Sequence, residues 1–597
     1  MEFDSTDSVR NSNPLSYLQT VTFGEPMPLE HGGVLPEITV AYETYGTLNE
    51  RKDNAVLICH ALSGDSHVAA HNDTDDPGWW QIMVGDGKPI DTNKYFVICP
   101  NVLGGCRGTT GPDTVNPQTG KRYGMAFPEI TIGDIVETEG KLVDDLGISR
   151  LLAVIGGSLG GICTLEWAIR FPDRLASAVC LAAGPHLTSQ SLAFDIVARN
   201  AILSDPHFCN GNYHEHGVVP ADGLAIARML GHITYLSRES MMKKFDADRN
   251  QGRKLDTKFE TKFSVGSYLA YQGEKFVDRF DANSYLTIST AIDTFELGSS
   301  PEELKRKLRK IMCRFLILSF STDWLFPPFL SKELTQALLA QNKAVNYCNI
   351  MSDGGHDAFL LPNEFLLYGN MIGAFLRRST KEAGEGASLS GSPATDSRFD
   401  FTQILDLIPA SASVLDLGCG GGGLLSRLKQ RGNTQLAGLE LNEVKILECI
   451  DKGIDVVQAD INAGLKEFED DQFDFVVLSK TLQTIRDVEF VLSEMVRVGT
   501  RCIVSFPNLG YHEYRRRLAE YGRAPRIAST LPGTKAAAAE WYNTDDVRFL
   551  TLADFEDFCA EKHIRIHYAL PLDTKQHQRI TEDPNTNADT VVMVISR

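Results

Sequence analysis

Three residues that lie far apart in the chain have the types and the order needed for nucleophilic chemistry. Ser158 lies in the run GGSLGG at residues 156–161, a G-x-S-x-G pattern placed between an apolar segment and residues at helical spacing. Asp323 and His356 follow, in that order, each shortly after a strand-like segment. A serine hydroxyl beside a histidine base that a carboxylate orients can attack an acyl group. We therefore predict a catalytic triad of Ser158, Asp323 and His356.

The residues around Ser158 explain how a serine there could be presented and activated. Residues 151–155 are all apolar and predict a buried strand, and residues 162–169 have helical periodicity. Glycines suit a sharp turn between the two, because side chains there would keep the helix away from the strand. The turn also places the amide of Leu159 at a helix N-terminus, which favours negative charge. The alternative is an incidental serine in a glycine-rich turn.

The elements that must position these residues alternate between strands and helices. Apolar segments at 38–42, 54–59, 95–99, 175–183, 314–320 and 345–350 predict strands, and the alternation with helices predicts a parallel α/β sheet of the α/β-hydrolase fold. Helical patterns over about 185–310 predict a lid insertion. The loop after residue 59 is where this fold supplies a second oxyanion amide, so we expect Leu62 and Leu159 to form the oxyanion hole. We interpret His60 and His67 as loop-shaping residues, and we predict no metal site.

Composition limits the classes of protein that remain. A chain of 597 residues exceeds what one hydrophobic core supports, so at least two domains are expected. A net charge of −20 argues against nucleic-acid binding. The N-terminus resembles no signal peptide and no segment is long and apolar enough to span a membrane, so we expect a soluble cytoplasmic protein without a membrane partner. None of the 12 cysteines forms a C-x-x-C pair, and Cys59, Cys99 and Cys180 have the apolar surroundings of reduced thiols.

A second domain begins after a small, polar segment. Residues 379–396, STKEAGEGASLSGSPATD, predict a flexible linker between domains at 1–378 and 397–597. Beyond it, a D-x-G-x-G-x-G loop follows a strand at 413–417, and Glu440 ends the next strand, 24 residues after Asp416. This is the Rossmann-like arrangement in which an acid contacts ribose hydroxyls, although Glu440 could instead cap a helix or face solvent. The predicted cofactor-binding residues are Asp416, Gly418, Gly420, Gly422, Glu440 and Asp460.

Long blocks within residues 17–378 resemble the homoserine O-acetyltransferase (MetX) family. They include CHALSGDSH, NVLGGCRGTTGP, GGSLGG, AYQGEKFVDRFDANSYL, TDWLFPP and GHDAFLLP. The resemblance implies transfer of an acetyl group from acetyl-CoA to the hydroxyl of L-homoserine in methionine biosynthesis, by a ping-pong mechanism and in a homodimer. The family positions that bind homoserine fall on Arg228, Tyr235 and Asp357.

The chemistry of these three residues suits an amino acid. Arg228 and Tyr235 lie seven residues apart, so they project from one face of a helix, and a guanidinium offers a fork for a carboxylate. Asp357 can hold an ammonium group, while Tyr235 alone is equally well read as a core aromatic. Leu159 and the pair at 162–163 depart from the family pattern, for which we expect altered packing. Succinyl-CoA users in the superfamily typically carry a basic residue where this chain has Leu325, which favours acetyl-CoA.

Two alternatives for the first domain stay open, succinyl-CoA as the donor and an ester hydrolase that uses the same triad.

In the second domain, the glycine loop and its acids resemble S-adenosylmethionine-dependent methyltransferases. The blocks VVLSKTLQTI and IVSFPNLGYHEYRRRLAEYGRAP resemble the methionine biosynthesis protein MetW over residues 398–570. The resemblance implies a Rossmann-like domain of the class I methyltransferase type that binds S-adenosylmethionine. It assigns no methyl acceptor and no base, so the domain is predicted to be either a methyltransferase or a non-catalytic regulatory module.

Overall fold

The computed structural model describes residues 15–245, 263–362, 365–383, 398–523 and 548–597. The chain divides into two units, Met1–Gly386 and Ala387–Arg597. Across the described residues, every helix is too short or too polar to cross a membrane. All 12 cysteines lie in the described residues and none of them is in a disulfide; Cys59, Cys99 and Cys180 are buried, as predicted.

The first unit is organised around an eight-stranded sheet in the order β1-β4-β8-β5-β9-β10-β11-β12. β4 runs antiparallel to both of its neighbours. The remaining strands of the sheet run parallel to one another, in the order β8, β5, β9, β10, β11 and β12. All seven residues of β9 are buried, which explains why the strand before Ser158 is uniformly apolar. The strands are β1 (Gln19–Phe23), β2 (Met27–Pro28), β3 (Val34–Leu35), β4 (Ile38–Tyr45), β5 (Ala55–Cys59), β6 (Val84–Gly85), β7 (Ile90–Asp91), β8 (Phe96–Pro100), β9 (Leu151–Gly157), β10 (Leu175–Leu181), β11 (Arg314–Phe320) and β12 (Val345–Ile350).

Ten helices of the first unit are described. They are α1 (Ile132–Asp145), α2 (Leu159–Arg170), α3 (Ser189–Leu203), α4 (Ala221–Tyr235), α5 (Arg238–Phe245), α6 (Ser264–Val277), α7 (Ala282–Asp293), α8 (Pro301–Leu308), α9 (Pro328–Leu339) and α10 (Phe365–Ala383). Helices α3 to α8 lie between β10 and β11, where the helical insertion was predicted. The strand order and this insertion confirm the predicted α/β-hydrolase fold.

The second unit has a sheet of its own, in the order β15-β14-β13-β16-β17-β20-β18-β19. β13 to β17 are parallel and β20 is antiparallel to β17. The order reverses between β13 and β16, which creates a topological switch point and confirms a Rossmann-like domain, while the methyltransferase type stays a prediction. Its elements are β13 (Val414–Leu417), β14 (Leu436–Glu440), β15 (Val456–Gln458), β16 (Phe473–Ser479), β17 (Gly499–Pro507), β18 (Arg565–Asp573), β19 (Gln578–Arg579), β20 (Thr590–Ser596), α11 (Phe399–Leu407), α12 (Gly423–Gln430), α13 (Glu443–Asp451), α14 (Val488–Val498), α15 (His512–Tyr521), α16 (Leu552–Glu561) and α17 (Pro584–Asn587).

The start of the predicted linker is wrong. Helix α10 runs to Ala383, so residues 379–383 are helical, and the remaining linker residues, 384–396, lie outside the described part of the chain. The hydroxyl of Ser379 donates to the carbonyl of Phe375 at 3.1 Å, and that of Thr380 donates to the carbonyl of Arg377 at 2.8 Å. These small polar residues bond back to the helix instead of ending it, which the composition of the segment did not reveal.

Candidate active site

Ser158 occupies the junction between β9 and α2 in a strained conformation, with φ 58° and ψ −123°. Residues other than glycine rarely adopt a positive φ, so the surrounding structure must impose it. It does so by close packing, because a Cβ on Gly160 would collide with the carbonyl of Cys59 and one on Gly156 would collide with Gly160. The amide of Ser158 donates to the carbonyl of Leu181 at 3.0 Å. This geometry confirms the predicted sharp turn between strand and helix and the predicted reason for its glycines, while the role of Ser158 as nucleophile stays a prediction.

Asp323 and His356 meet at the ends of the adjacent strands β11 and β12. The Nδ1 of His356 lies 2.9 Å from Oδ2 of Asp323, and both side chains are buried. The second oxygen, Oδ1, accepts the backbone N–H groups of Leu325 and Phe326 at 2.9 and 3.0 Å. A carboxylate fixed in this way favours the Nδ1–H tautomer of the histidine, which leaves the lone pair on Nε2.

Aromatic rings enclose the imidazole of His356. The rings of Phe326, Tyr235 and Phe359 lie 5.7, 5.9 and 6.1 Å from it, centroid to centroid. Burial acts to lower the pKa of His356, but the charge and the hydrogen bond of Asp323 outweigh it and raise the pKa above its usual value. The site is therefore arranged to stabilise the imidazolium that forms when the histidine takes a proton.

The loop that carries Leu62 is held by His60. The Nδ1 of His60 donates to the carbonyl of Ala61 at 2.7 Å, and its Nε2 accepts the N–H of Val102 at 3.2 Å. The same peptide group joins the Ala61 carbonyl to the Leu62 N–H, so the bond also fixes the direction of that N–H. Within the described residues, the Leu62 N–H donates to no protein acceptor. It is free to bind an oxyanion, as is expected of the amide of Leu159 at the start of α2.

A buried charge cluster below this loop was not foreseen. Oε2 of Glu43 receives His67 Nδ1 at 3.0 Å, His71 Nε2 at 2.9 Å and the hydroxyl of Tyr45 at 2.9 Å. Burial would raise the pKa of Glu43, but the histidines hold it at about 2, and the same contacts hold the pKa of His67 at about 9 in spite of its burial. The three ligand atoms lie within 4.8 Å of one another, close enough for a metal ion. However, His67 Nε2 lies 2.7 Å from the Asp76 carbonyl oxygen, so hydrogen bonds occupy both ring nitrogens of His67.

Arg228, Tyr235 and Asp357 come together near His356. The guanidinium of Arg228 lies 5.6 Å from the ring of Tyr235, and that ring is 5.9 Å from His356. Burial raises the pKa of Tyr235 to about 12, although Arg228 opposes the shift. Burial also raises the pKa of Asp357, against the nearby positive charges of His356 and Arg228. Arg228 and Asp357 thus place a cation and an acid near His356.

Sequence reasoning missed other charged residues of the insertion. On α3, burial and the neighbouring Asp293 raise the pKa of Asp195 to about 8, and Arg199 pairs with Asp293 at 2.5 Å. Arg279 follows α6 and lies 5.6 Å from the ring of Phe276. It belongs to the block AYQGEKFVDRFDANSYL, but helical periodicity in that block gave no indication of a polar role.

In the second unit, the glycine loop follows β13 as predicted. Gly418, Gly420 and Gly422 have φ values of 68°, 55° and 72°, a region that favours glycine. The carboxylate of Glu440 accepts the backbone N–H of Gly420 at 2.9 Å. It also accepts the backbone N–H groups of Leu441 and Asn442, which directly follow Glu440. Glu440 thus ties the loop to the end of β14, a contact that the sequence did not indicate.

The other two predicted acids of this unit differ in their surroundings. Asp416 is buried at the loop, and its burial raises its pKa to about 7 even though Arg398 opposes the shift. Asp460 is exposed after β15, and its side chain accepts the amide of Asn462 at 2.9 Å. The strand ends therefore bring Asp416, the glycines and Glu440 to one edge of the sheet, and Asp460 caps a 3-10 turn near that edge.

The pKa of His356 gives a direct prediction. Because Asp323 raises that pKa, Asp323→Asn should lower it, so the imidazolium would persist only to a lower pH than in the parent chain. NMR titration of isotope-labelled histidine, assigned with His356→Gln, measures the change. Asp353→Asn removes an exposed acid of the neighbouring loop and should leave the midpoint unchanged. An unchanged midpoint in Asp323→Asn would contradict the electrostatic role of Asp323.

Comparison with known proteins covers both units. A family model described as the alpha/beta hydrolase fold matches residues 54–362, and one described as methionine biosynthesis protein MetW matches residues 398–595. A crystal structure of homoserine O-acetyltransferase from Bacillus anthracis is 28% identical with a TM-score of 0.54, over 60% of this chain and 98% of that chain. An acetylester hydrolase from Corynebacterium glutamicum is 26% identical with a TM-score of 0.50, over 61% of this chain and 96% of that chain.

Curated relatives extend the similarity. A homoserine O-acetyltransferase from Solidesulfovibrio magneticus is 49% identical over 60% of this chain and 91% of its own length. A homoserine O-succinyltransferase from Alkalilimnicola ehrlichii is 48% identical over 61% of this chain and 95% of its own length. A bifunctional methionine biosynthesis protein MetXA/MetW from Rhodopirellula baltica is 47% identical over 100% of this chain and 96% of its own length. The chain therefore belongs to the family of bifunctional MetXA/MetW methionine biosynthesis proteins.

Proposed function

We propose that the first unit transfers an acetyl group from acetyl-CoA to the hydroxyl of L-homoserine, which gives O-acetyl-L-homoserine and CoA. The observation that carries this proposal is the cation–acid pair of Arg228 and Asp357 beside the His356–Asp323 dyad. A free amino acid carries a carboxylate and an ammonium group, and these two residues complement them. Water needs neither residue, so the pair favours transfer over hydrolysis.

The first half-reaction acetylates Ser158. Its Oγ attacks the thioester carbonyl of acetyl-CoA while Nε2 of His356 takes the hydroxyl proton. The N–H groups of Leu62 and Leu159 stabilise the tetrahedral oxyanion. Collapse of the intermediate breaks the carbon–sulfur bond, and the proton on His356 passes to the CoA thiolate.

The second half-reaction repeats this chemistry with homoserine. His356 takes the proton from the homoserine hydroxyl, whose oxygen attacks the acetyl carbonyl on Ser158. Collapse of this intermediate releases O-acetylhomoserine, and the proton on His356 returns to Ser158. Asp323 keeps the imidazole in the same orientation throughout both halves.

The residue at position 325 supports acetyl-CoA as the donor. Leu325 is half-buried, and its N–H binds Asp323 at 2.9 Å, so its side chain is anchored beside the triad. An aliphatic side chain there offers no charge to the free carboxylate of a succinyl group. Relatives named as acetyltransferases and as succinyltransferases match this chain at similar identity, so the argument rests on the site. The structural likeness to an acetylester hydrolase keeps hydrolysis as the second candidate activity.

Acetylation of Ser158 is the testable consequence. Incubation with acetyl-CoA in the absence of homoserine should add one acetyl group to the peptide that contains Ser158, as measured by mass spectrometry. Ser158→Ala should abolish the label, Ser189→Ala, at an exposed serine of α3, should retain it, and homoserine should discharge it. A label on another residue, with Ser158 unmodified, would refute the ping-pong scheme.

For the second unit, residues 397–597, we propose a MetW-like domain that binds S-adenosylmethionine. Support comes from the glycine loop between Asp416 and Gly422 and from Glu440 at the end of β14, which meet at the switch point of the sheet. Methionine is the precursor of that cofactor, so binding would couple the domain to the end of the pathway, as a methyltransferase or as a regulatory module. Following the resemblance, we propose a cytoplasmic homodimer that needs no metal.

Calorimetry on the whole chain tests this cofactor. S-adenosylmethionine and S-adenosylhomocysteine should bind, and Glu440→Ala should weaken both, because it removes the predicted ribose acceptor and the bond to Gly420. Glu443→Ala, at the first residue of α13, is the matched control and should bind normally. Absence of heat from either ligand at millimolar concentration would leave only a partner-binding role for the domain.

A further inference from the structure

Arg279 and Arg228 share a feature that is unusual for arginines of this chain. Both are half-buried, and their guanidinium carbons lie 5.6 and 4.9 Å from the same ring, that of Phe276. Over the described residues, no carboxylate lies within ion-pair distance of either guanidinium. Arg199 and Arg497, which are also half-buried, hold carboxylates at 2.5 and 2.7 Å.

Two cations against one aromatic ring create a local positive potential, which the charge of Asp65 offsets only in part at Arg279. Burial, and then the charge of Arg228, lower the pKa of Arg279 to about 10. The same positive charges act on His232. Burial lowers its pKa, and the charges of Arg228, Lys244 and Arg279 lower it further, to about 3. Partly buried cations without an ion pair among the described residues are costly, so a fold that holds two of them against one ring is suited to bind an anion.

The position of the pair indicates which anion. The guanidinium of Arg228 lies 5.6 Å from the ring of Tyr235, which in turn lies 5.9 Å from His356. Arg279 and Arg228 both contact the ring of Phe276, and Arg228 also contacts the tyrosine that lies against His356. Asp357, next to His356, supplies the only predicted acidic partner for an ammonium group. An amino acid whose hydroxyl meets His356 would direct its carboxylate toward the two guanidinium groups.

We propose that Arg279 is the second arm of a two-arginine seat for the α-carboxylate of the acceptor, with Arg228 as the first arm. This inference rests on the proposed function, since it assigns the carboxylate to homoserine. Two forks on one carboxylate can engage both of its oxygens, and the ring of Phe276 holds both guanidinium planes before the substrate arrives. The seat would select amino-acid acceptors over simple alcohols.

The test compares two acceptors in steady-state kinetics. L-Homoserine carries the carboxylate, and 3-aminopropanol has the same hydroxyl and ammonium groups without it. Arg279→Gln should raise the KM for homoserine roughly 10-fold to 100-fold, the effect of losing a hydrogen-bonded charge contact. It should leave kcat/KM for 3-aminopropanol and the rate of Ser158 acetylation within about twofold of the parent values. Arg279→Lys should restore part of the affinity.

Arg174→Gln provides the matched control. Arg174 also lies over an aromatic ring, Phe171 at 5.3 Å, but it pairs with Asp144 at 2.5 Å away from the triad, and its loss should change neither acceptor. Equal losses with both acceptors would make Arg279 structural, and slower acetylation by acetyl-CoA with an unchanged KM for homoserine would assign it to the donor. Either result overturns the inference. A parent chain that acylates neither acceptor would instead refute the proposed function.

Discussion

Steric closure at Ser158, where α2 packs directly against β9 and β5, is the constraint on which the first unit depends. Glycines at 156 and 160 allow backbone to approach backbone, and the positive φ of Ser158 follows from that contact. Once the turn is fixed, the sheet order places β11 and β12 beyond β10, so Asp323 and His356 arrive at the same edge of the sheet. The strain at one serine is thus supported by the core of the whole sheet.

Buried charge is the second organising theme, and it is handled in two ways. In one, carboxylate and imidazole groups pair with each other, as in the cluster of Glu43 with His67 and His71. Where a ligand is proposed, Arg228 and Arg279 form no ion pair with any carboxylate of the described residues. We infer that the paired charges stabilise the fold around the site and that the arginines without an ion pair bind the substrate.

The sequence predicted the elements that follow strong local rules. The elbow, the order of the triad and both sheets came from periodicity and glycine spacing, which short segments encode. Contacts between distant parts of the chain could not be predicted in this way. Glu43 binds histidines more than 20 residues away, and Arg279 and Arg228 are linked by their shared contact with Phe276. The end of α10 was missed because Ser379 and Thr380 look like linker residues but bond back to the helix. Glu440 was expected at the cofactor edge, but its bonds to the loop amides depend on the folded turn.

We propose that the first unit acylates homoserine with Ser158, Asp323 and His356. The most direct test is CoA release from acetyl-CoA, followed with and without L-homoserine on the whole chain, and repeated with succinyl-CoA. We expect sustained release only when acetyl-CoA and homoserine are both present, with no more than a single-turnover burst from acetyl-CoA alone. Sustained release from acetyl-CoA at the same rate without homoserine would show a hydrolase, and faster turnover of succinyl-CoA would contradict the assigned donor.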